Sequence, residues 1–144
     1  MELAIKEAYV GIQKKHGGPF GAVIVKGNKV IAKAHNTVLK DKDATCHGEM
    51  NAIRKACKKL KTNSLEGCDI YTTGEPCPMC LNAIRWANIS KVYYDCSVED
   101  TDKIGFRDKK FENLKRDNKQ LVQMHSDECQ NLYDDYRKKK HKLY

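Results

Sequence analysis

Apolar residues recur at helical spacing from Leu3 through Ile5, Ala8 and Tyr9 to Ile12, and the run stops at Gly17-Gly18, so the chain is predicted to open on a helix. The next stretch, PFGAVIVKGNKVIAKAHN, holds two short apolar runs around Lys26-Gly27-Asn28-Lys29, which has the composition of a hairpin turn and predicts the first two strands. Over 46–61 the period returns to helical. Met50, Ile53, Cys57 and Leu60 fall on one face, expected to be the buried one, with Lys55, Lys58, Lys59 and Lys61 toward solvent and Asp43 and Thr45 as candidate caps. Gly67 precedes a strand from Cys68 to Thr73. Pro76, Cys77 and Pro78 then open another helix, lined by Met79, Ala83, Ile84 and Trp86; proline is tolerated in a first turn because that N–H is unpaired anyway. A fourth strand is expected at Ile89 to Tyr94, then a loop rich in Asp and Glu, a strand around Gln120 to Met124, and a final helix from about Asp127. Helices and strands alternating at these lengths predict a three-layer α/β domain with helices covering a central sheet.

Composition narrows the class. The chain has 144 residues, 40% of them apolar, which suits one domain and leaves no room for two. No stretch approaches the roughly 18 unbroken apolar residues of a membrane span, and the charged N-terminus is not built as a signal peptide, so a cytoplasmic protein with no membrane partner is expected. Lysine and arginine total 27 against 19 acidic residues, a net charge of +8 that favours anionic partners. The excess gathers in RKKKHK (Arg137 to Lys142), at 55–61 and at 109–116. Few aromatics interleave with these lysines, so a solvated surface is the first expectation and a nucleic-acid patch the second. Seven cysteines are an odd number in a chain without a secretion signal, which argues against a disulfide framework.

Candidate chemistry centres on His47, Cys77 and Cys80, with Glu49 two residues beyond the histidine. Zinc takes imidazole and thiolate, and three protein ligands leave its fourth tetrahedral position to water or hydroxide. His47 begins one predicted helix and Cys77 and Cys80 another, so two positive helix ends can face one metal. Glu49 is placed to move protons beside the water, and Gly48 lets a substrate approach the backbone. A redox dithiol has no use for His47-Gly48-Glu49. A closed structural zinc site lacks a paired fourth ligand, since Cys46, adjacent to His47, is poorly placed to converge on the same ion.

His47-Gly48-Glu49 with Pro76-Cys77-Pro78-Met79-Cys80 is the H-x-E and P-C-x-x-C signature of the zinc nucleobase deaminases. The blocks GGPFGAVIVK, HNTV, HGEMNAIRKACK, EPCPMCLNAIRWA and DTDKIGFRD resemble the bacterial guanine deaminase branch of the cytidine deaminase-like family, and with the tail they cover nearly the whole chain. The resemblance implies a three-layer α/β/α fold with a central mixed sheet, one zinc per subunit, and hydrolysis of guanine to xanthine and ammonia. It also implies a homodimer whose C-terminal segments, about 125–144, are exchanged between subunits. Glu49 would act as base and then acid. Asn36 would bind a purine edge, and Asp108 would hold the base or relay a proton, with Asp127 or Glu128 as a second carboxylate. Phe20 and Trp86 are the aromatics for contact with a flat base or for the core, and Tyr144 would close the neighbouring subunit's site. Arg107 and Gly48 depart from what that branch often carries, and both bear on substrate choice rather than on zinc chemistry. The alternatives are a tRNA adenosine deaminase, a cytosine or other free-base deaminase, and a catalytically idle zinc-containing binding module.

Overall fold

The computed structural model describes residues 1–111, 119–139 and 143–144. Five strands, β1 (Gly21–Lys26), β2 (Lys29–His35), β3 (Cys68–Gly74), β4 (Lys91–Cys96) and β5 (Leu121–Gln123), form one sheet in the order β2-β1-β3-β4-β5. β1 runs antiparallel to β2 and β3, whereas β3, β4 and β5 are parallel, so the sheet is mixed. Gly27 turns the β1–β2 hairpin at φ +55°, a left-handed conformation that glycine adopts without a Cβ clash.

Alternation along each strand sends one set of side chains to each face. Ala22 and Ile24 of β1, Ile70 of β3 and Val92 of β4 pack with Ala52 and Ala56 of α3 (Gly48–Leu60) and Ile84 of α4 (Pro78–Trp86). On the other face, Ile5 and Ala8 of α1 (Glu2–Gln13) pack with Leu132, Tyr133 and Tyr136 of α6 (Asp127–Lys138). Helices thus cover both faces, as the alternation predicts. The buried stripe of α3 differs from expectation. Gly48, Glu49, Ala52 and Ala56 face inward, while Met50, Ile53 and Cys57 are half-buried and Leu60 is exposed. The helix lies so close to the sheet that a Cβ on Gly48 would come within 2.9 Å of the Phe20 carbonyl oxygen, and only small residues fit that gap.

Two short helices, α2 (Val38–Asp41) and α5 (Val98–Lys103), occupy stretches that periodicity reads as loop. α5 starts at a capping box: the Ser97 hydroxyl accepts from the Asp100 N–H, and the Asp100 carboxylate accepts from the Ser97 N–H at 3.0 Å. The fourth strand begins two residues later than expected, because Asn88 takes a left-handed turn (φ 57°) and leaves Ile89 buried ahead of the strand.

The parallel pair β3–β4 sets the place of the site. Gly74 lies in register with Cys96, and the Glu75 N–H donates to the Cys96 carbonyl at 2.8 Å, so the chain leaves the carboxyl end of β3 directly into Pro76-Cys77. Clefts outside the carboxyl ends of parallel strands are where open α/β sheets bind ligands. α6 is fastened to the same end, since the buried Asp95 carboxylate accepts from the Ser126 N–H and hydroxyl, and the Cys129 thiol donates to the Thr73 carbonyl at 3.1 Å.

Candidate active site

His47 is the N-cap of α3 and Cys77 the N-cap of α4, both with extended backbone, and Cys80 lies in the first turn of α4. The two helix starts converge. His47 Nδ1 lies 3.7 Å from Cys77 Sγ and 3.5 Å from Cys80 Sγ. A tetrahedral zinc with bonds of about 2.3 Å to sulfur and 2.0 to 2.1 Å to nitrogen needs ligand atoms about 3.6 Å apart, so the donor set fits the ion in identity and in spacing. Asp95, Cys96 and Cys129 also gather within reach of one another. That cluster is wholly buried, and Asp95 and Cys129 are already bonded within the fold, so it anchors α6.

The electrostatics hold one of the two thiols ready as an anion. The Cys80 thiol, then the His47 imidazole, hold Cys77 down to about 4 against the opposing effect of burial. Burial works to lower His47, but Cys77, Glu49 and Asp108 together raise it to about 9. Glu49 follows in the first turn of α3, only 7% exposed, and burial pushes its carboxyl up to about 7. A carboxyl at this position, next to the Cys80 thiol, can both accept and return a proton near neutral pH.

His47, Glu49 and Cys77 line a cavity of about 290 Å³, at the small end of ligand pockets, with Cys80 buried beside them. Phe20 forms one wall, its ring 4.8 Å from that of Phe106 in an edge-to-face pair. Asn36, completely buried, lines another. Its Oδ1 accepts from the Val38 N–H at 3.1 Å, while its Nδ2 has no completed hydrogen bond and is helped only by the nearby Tyr144 hydroxyl. Tyr144 stands in the cavity, accepts from the Gly18 N–H at 2.9 Å and packs edge-on against Phe106 at 5.4 Å. Asp108 lines the mouth at the start of a 3-10 turn, Asp108–Phe111, near enough to act on both His47 and Glu49.

Residues 1–96 match the model of the cytidine and deoxycytidylate deaminase zinc-binding region. The chain belongs to this deaminase family. It is 46% identical over 108 residues to the guanine deaminase of Bacillus subtilis (strain 168), an alignment covering 75% of this chain and 69% of that protein. It is also 46% identical over 94 residues to the tRNA-specific adenosine deaminase of Aquifex aeolicus (strain VF5), where it covers 65% of this chain and 62% of the relative, less than two thirds of that protein's length. The X-ray structure of guanine deaminase from Bacillus subtilis superposes with a TM-score of 0.75 at 38% identity, covering 98% of this chain and 93% of that one. The mixed sheet with helices on both faces is the cytidine deaminase-like fold.

In this deaminase, His47, Gly48, Glu49, Cys77 and Cys80 come together at the starts of α3 and α4, and Phe20, Asn36, Asp108 and Tyr144 line the cavity with His47, Glu49 and Cys77. Trp86 does not. It ends α4 with 87% of its surface exposed, outside the cavity of its own chain and outside the core. Asp127 and Glu128 are exposed at the start of α6 and line no part of the cavity. The carboxylate found there instead is Glu75, whose side chain accepts from the Val98 N–H at 3.3 Å. Phe106 and Phe111, to which the sequence assigned no role, also line the cavity, together with Arg107, whose departure from the branch bears on substrate choice. Phe106 sits in the GFRD block, beside Arg107 and Asp108, which was the available signal. The lysine-rich tail, 137–142, lies partly outside the described residues. No helix among the described residues is long and apolar enough to cross a membrane.

Proposed function

We propose that this deaminase hydrolyses guanine, with water, to xanthine and ammonia. The observation that carries the reading is Tyr144. Its ring closes against Phe106 and its hydroxyl is held by Gly18, so the cavity is shaped for a base that is enclosed as a whole rather than one fixed to a polynucleotide. His47, Cys77 and Cys80 would hold zinc, which when bound supplies the Lewis acidity that makes water reactive at neutral pH. Glu49 takes a proton from the attacking water and delivers it to the ring nitrogen beside the carbon that loses its amine. Phe20 and Phe106 offer apolar surface to the flat ring, and the unfilled Asn36 Nδ2 donates to an acceptor on its edge. Asp108, near enough to act on His47 and Glu49, holds the base or assists the departing amine.

The same reading includes one zinc per subunit and a homodimer with segment 125–144 exchanged. A swap keeps the contacts of Tyr144 and moves them to the partner's cavity. Light scattering at micromolar protein tests it, and a monomer counts against the exchange. The second reading, a tRNA adenosine deaminase, is favoured by the similarity to the Aquifex aeolicus relative and by the charge of +8. Ammonia release by zinc-replete protein from guanine, adenine, cytosine, cytidine, guanosine and tRNA separates the two. Guanine turnover that barely responds to salt supports the first. Turnover of tRNA alone, weakening steeply with salt through lost phosphate contacts, replaces it with the second.

A further inference from the structure

We infer that Arg107 reads the acceptor edge of guanine, O6 and N7, at the mouth of the cavity, and so fixes guanine with C2 toward the floor. This specificity role rests on the guanine reading above. Among the described residues lining the cavity, Arg107 is the one guanidinium or ammonium group; the other groups there that can carry charge are Glu49, Glu75, Asp108, Cys77 and His47. It is exposed, whereas Cys80 and Glu49 at the floor are buried, so it stands on the solvent side of the reacting end. Its guanidinium carbon lies 6.0 Å from the ring centroid of Phe111, which lines the cavity as well. A guanidinium placed on an aromatic face is less free to swing away and keeps its planar fork of donors available.

The orientation of the substrate does the rest. Guanine loses the amine on C2, so C2 must face the floor, where Glu49 and the metal ligands are. Across the six-membered ring from C2 lies C5, joined to N7, with O6 on the neighbouring carbon. Both acceptors are therefore on the side turned away from the floor. Two parallel N–H donors of an arginine match O6 and N7 of guanine, the commonest specific arginine–base contact. A base carrying its amine on C6 instead of C2, as adenine does, presents a donor at that place in this orientation and has no amine to lose at the floor. The carboxylates of Glu75 and Asp108 accept hydrogen bonds and have nothing to give this edge.

A cycle of enzyme and substrate changes tests the assignment: wild type, Arg107→Ala and Arg107→Lys, each zinc-loaded, with guanine and with 7-deazaguanine, in which N7 is replaced by C–H. The readout is kcat and KM for ammonia release. Wild type is expected to lose about 10-fold or more in kcat/KM on 7-deazaguanine. Arg107→Ala should lose about 10- to 100-fold on guanine, mostly through KM, and treat the two bases alike. Arg107→Lys, which keeps the charge but not the fork, should fall between. A residue that merely packs on Phe111 gives no such coupling. If Arg107→Ala matches wild type on guanine, or discriminates the two bases as wild type does, the assignment to Arg107 is overturned while the guanine reading stands. Wild type releasing no ammonia from guanine overturns both.

Discussion

Gly17→Ala separates the packing of the cavity wall from the chemistry. Gly17 is buried and does not adopt positive φ, so the backbone admits alanine; the space does not. An added Cβ would overlap Asn36 Oδ1 and lie 2.9 Å from its Cγ and 3.0 Å from its carbonyl oxygen. If Asn36 stays, the overpacking costs about 1 to 3 kcal/mol. If it turns aside, the Val38 N–H loses its acceptor in a buried place, which costs about 1 to 3 kcal/mol as well. Either route gives about 2 kcal/mol, or roughly 8 °C in Tm for a domain of this size. Only the second route moves the Nδ2 that faces substrate, so a raised KM for guanine reports which one is taken. Gly27→Ala is the control. Nothing lies within 4 Å of its added Cβ, and the strain at φ +55° costs about 1 to 2 kcal/mol with no route to the cavity. Urea unfolding and steady-state ammonia release read both variants. Gly17→Ala that keeps wild-type KM and stability within about 0.5 kcal/mol refutes the reasoning about this wall.

Further outcomes are expected at the metal, the proton shuttle and the α5 cap. Glu49→Gln should keep zinc content and Tm while ammonia release falls about 100- to 10,000-fold; turnover retained in that variant removes Glu49 from the mechanism. Stripping the metal with a chelator should abolish turnover and lower Tm, since one ion ties the starts of α3 and α4, and ligand at 100 times its Kd contributes about 2.7 kcal/mol. An unchanged Tm after verified removal argues against that tie. Burial tends to raise the Asp100 carboxyl, but Lys103 at 2.9 Å and the Ser97 donors bring it down to about 2. A carboxyl held low in the folded state contributes stability that is complete above its unfolded value near 4 and is lost as pH falls toward 2. Asp100→Asn should therefore cost about 1 kcal/mol at pH 7, the usual worth of a cap, with the gap closing in acid; a gap independent of pH excludes this origin.

The His47–Cys77–Cys80 cluster was legible because its chemistry is local. H-x-E and C-x-x-C each fit within the first turn of one helix, and the patterns that place those helices are short-range. The inward face of α3 was misread for a physical reason: large apolar residues mark a stripe by their size, but a layer this close to the sheet admits only Gly48, Ala52 and Ala56. Trp86 counts as apolar in any periodicity, yet its position on α4 directs it to solvent. α5 did leave a local mark, Ser97 three residues before Asp100, hidden in a stretch whose acidity reads as loop. The cavity mouth was the least legible. Phe106, Arg107, Phe111 and Tyr144 meet there through packing of irregular chain, which no period encodes.

The cavity is assembled unevenly along the chain. His47, Glu49, Cys77 and Cys80 all precede β4, within the stretch that matches the family, whereas Phe106, Arg107, Asp108, Phe111 and Tyr144 all follow it. One boundary, after Cys96, therefore divides the reactive floor from most of the rim. Lineages built on this plan can trade one rim for another by recombination at that boundary while inheriting His47, Glu49, Cys77 and Cys80 intact. Protein engineers can do the same by grafting the segment after β4 as a cassette, provided it brings its own version of α6, since Asp95 and Thr73 supply the acceptors that fasten that helix to the floor.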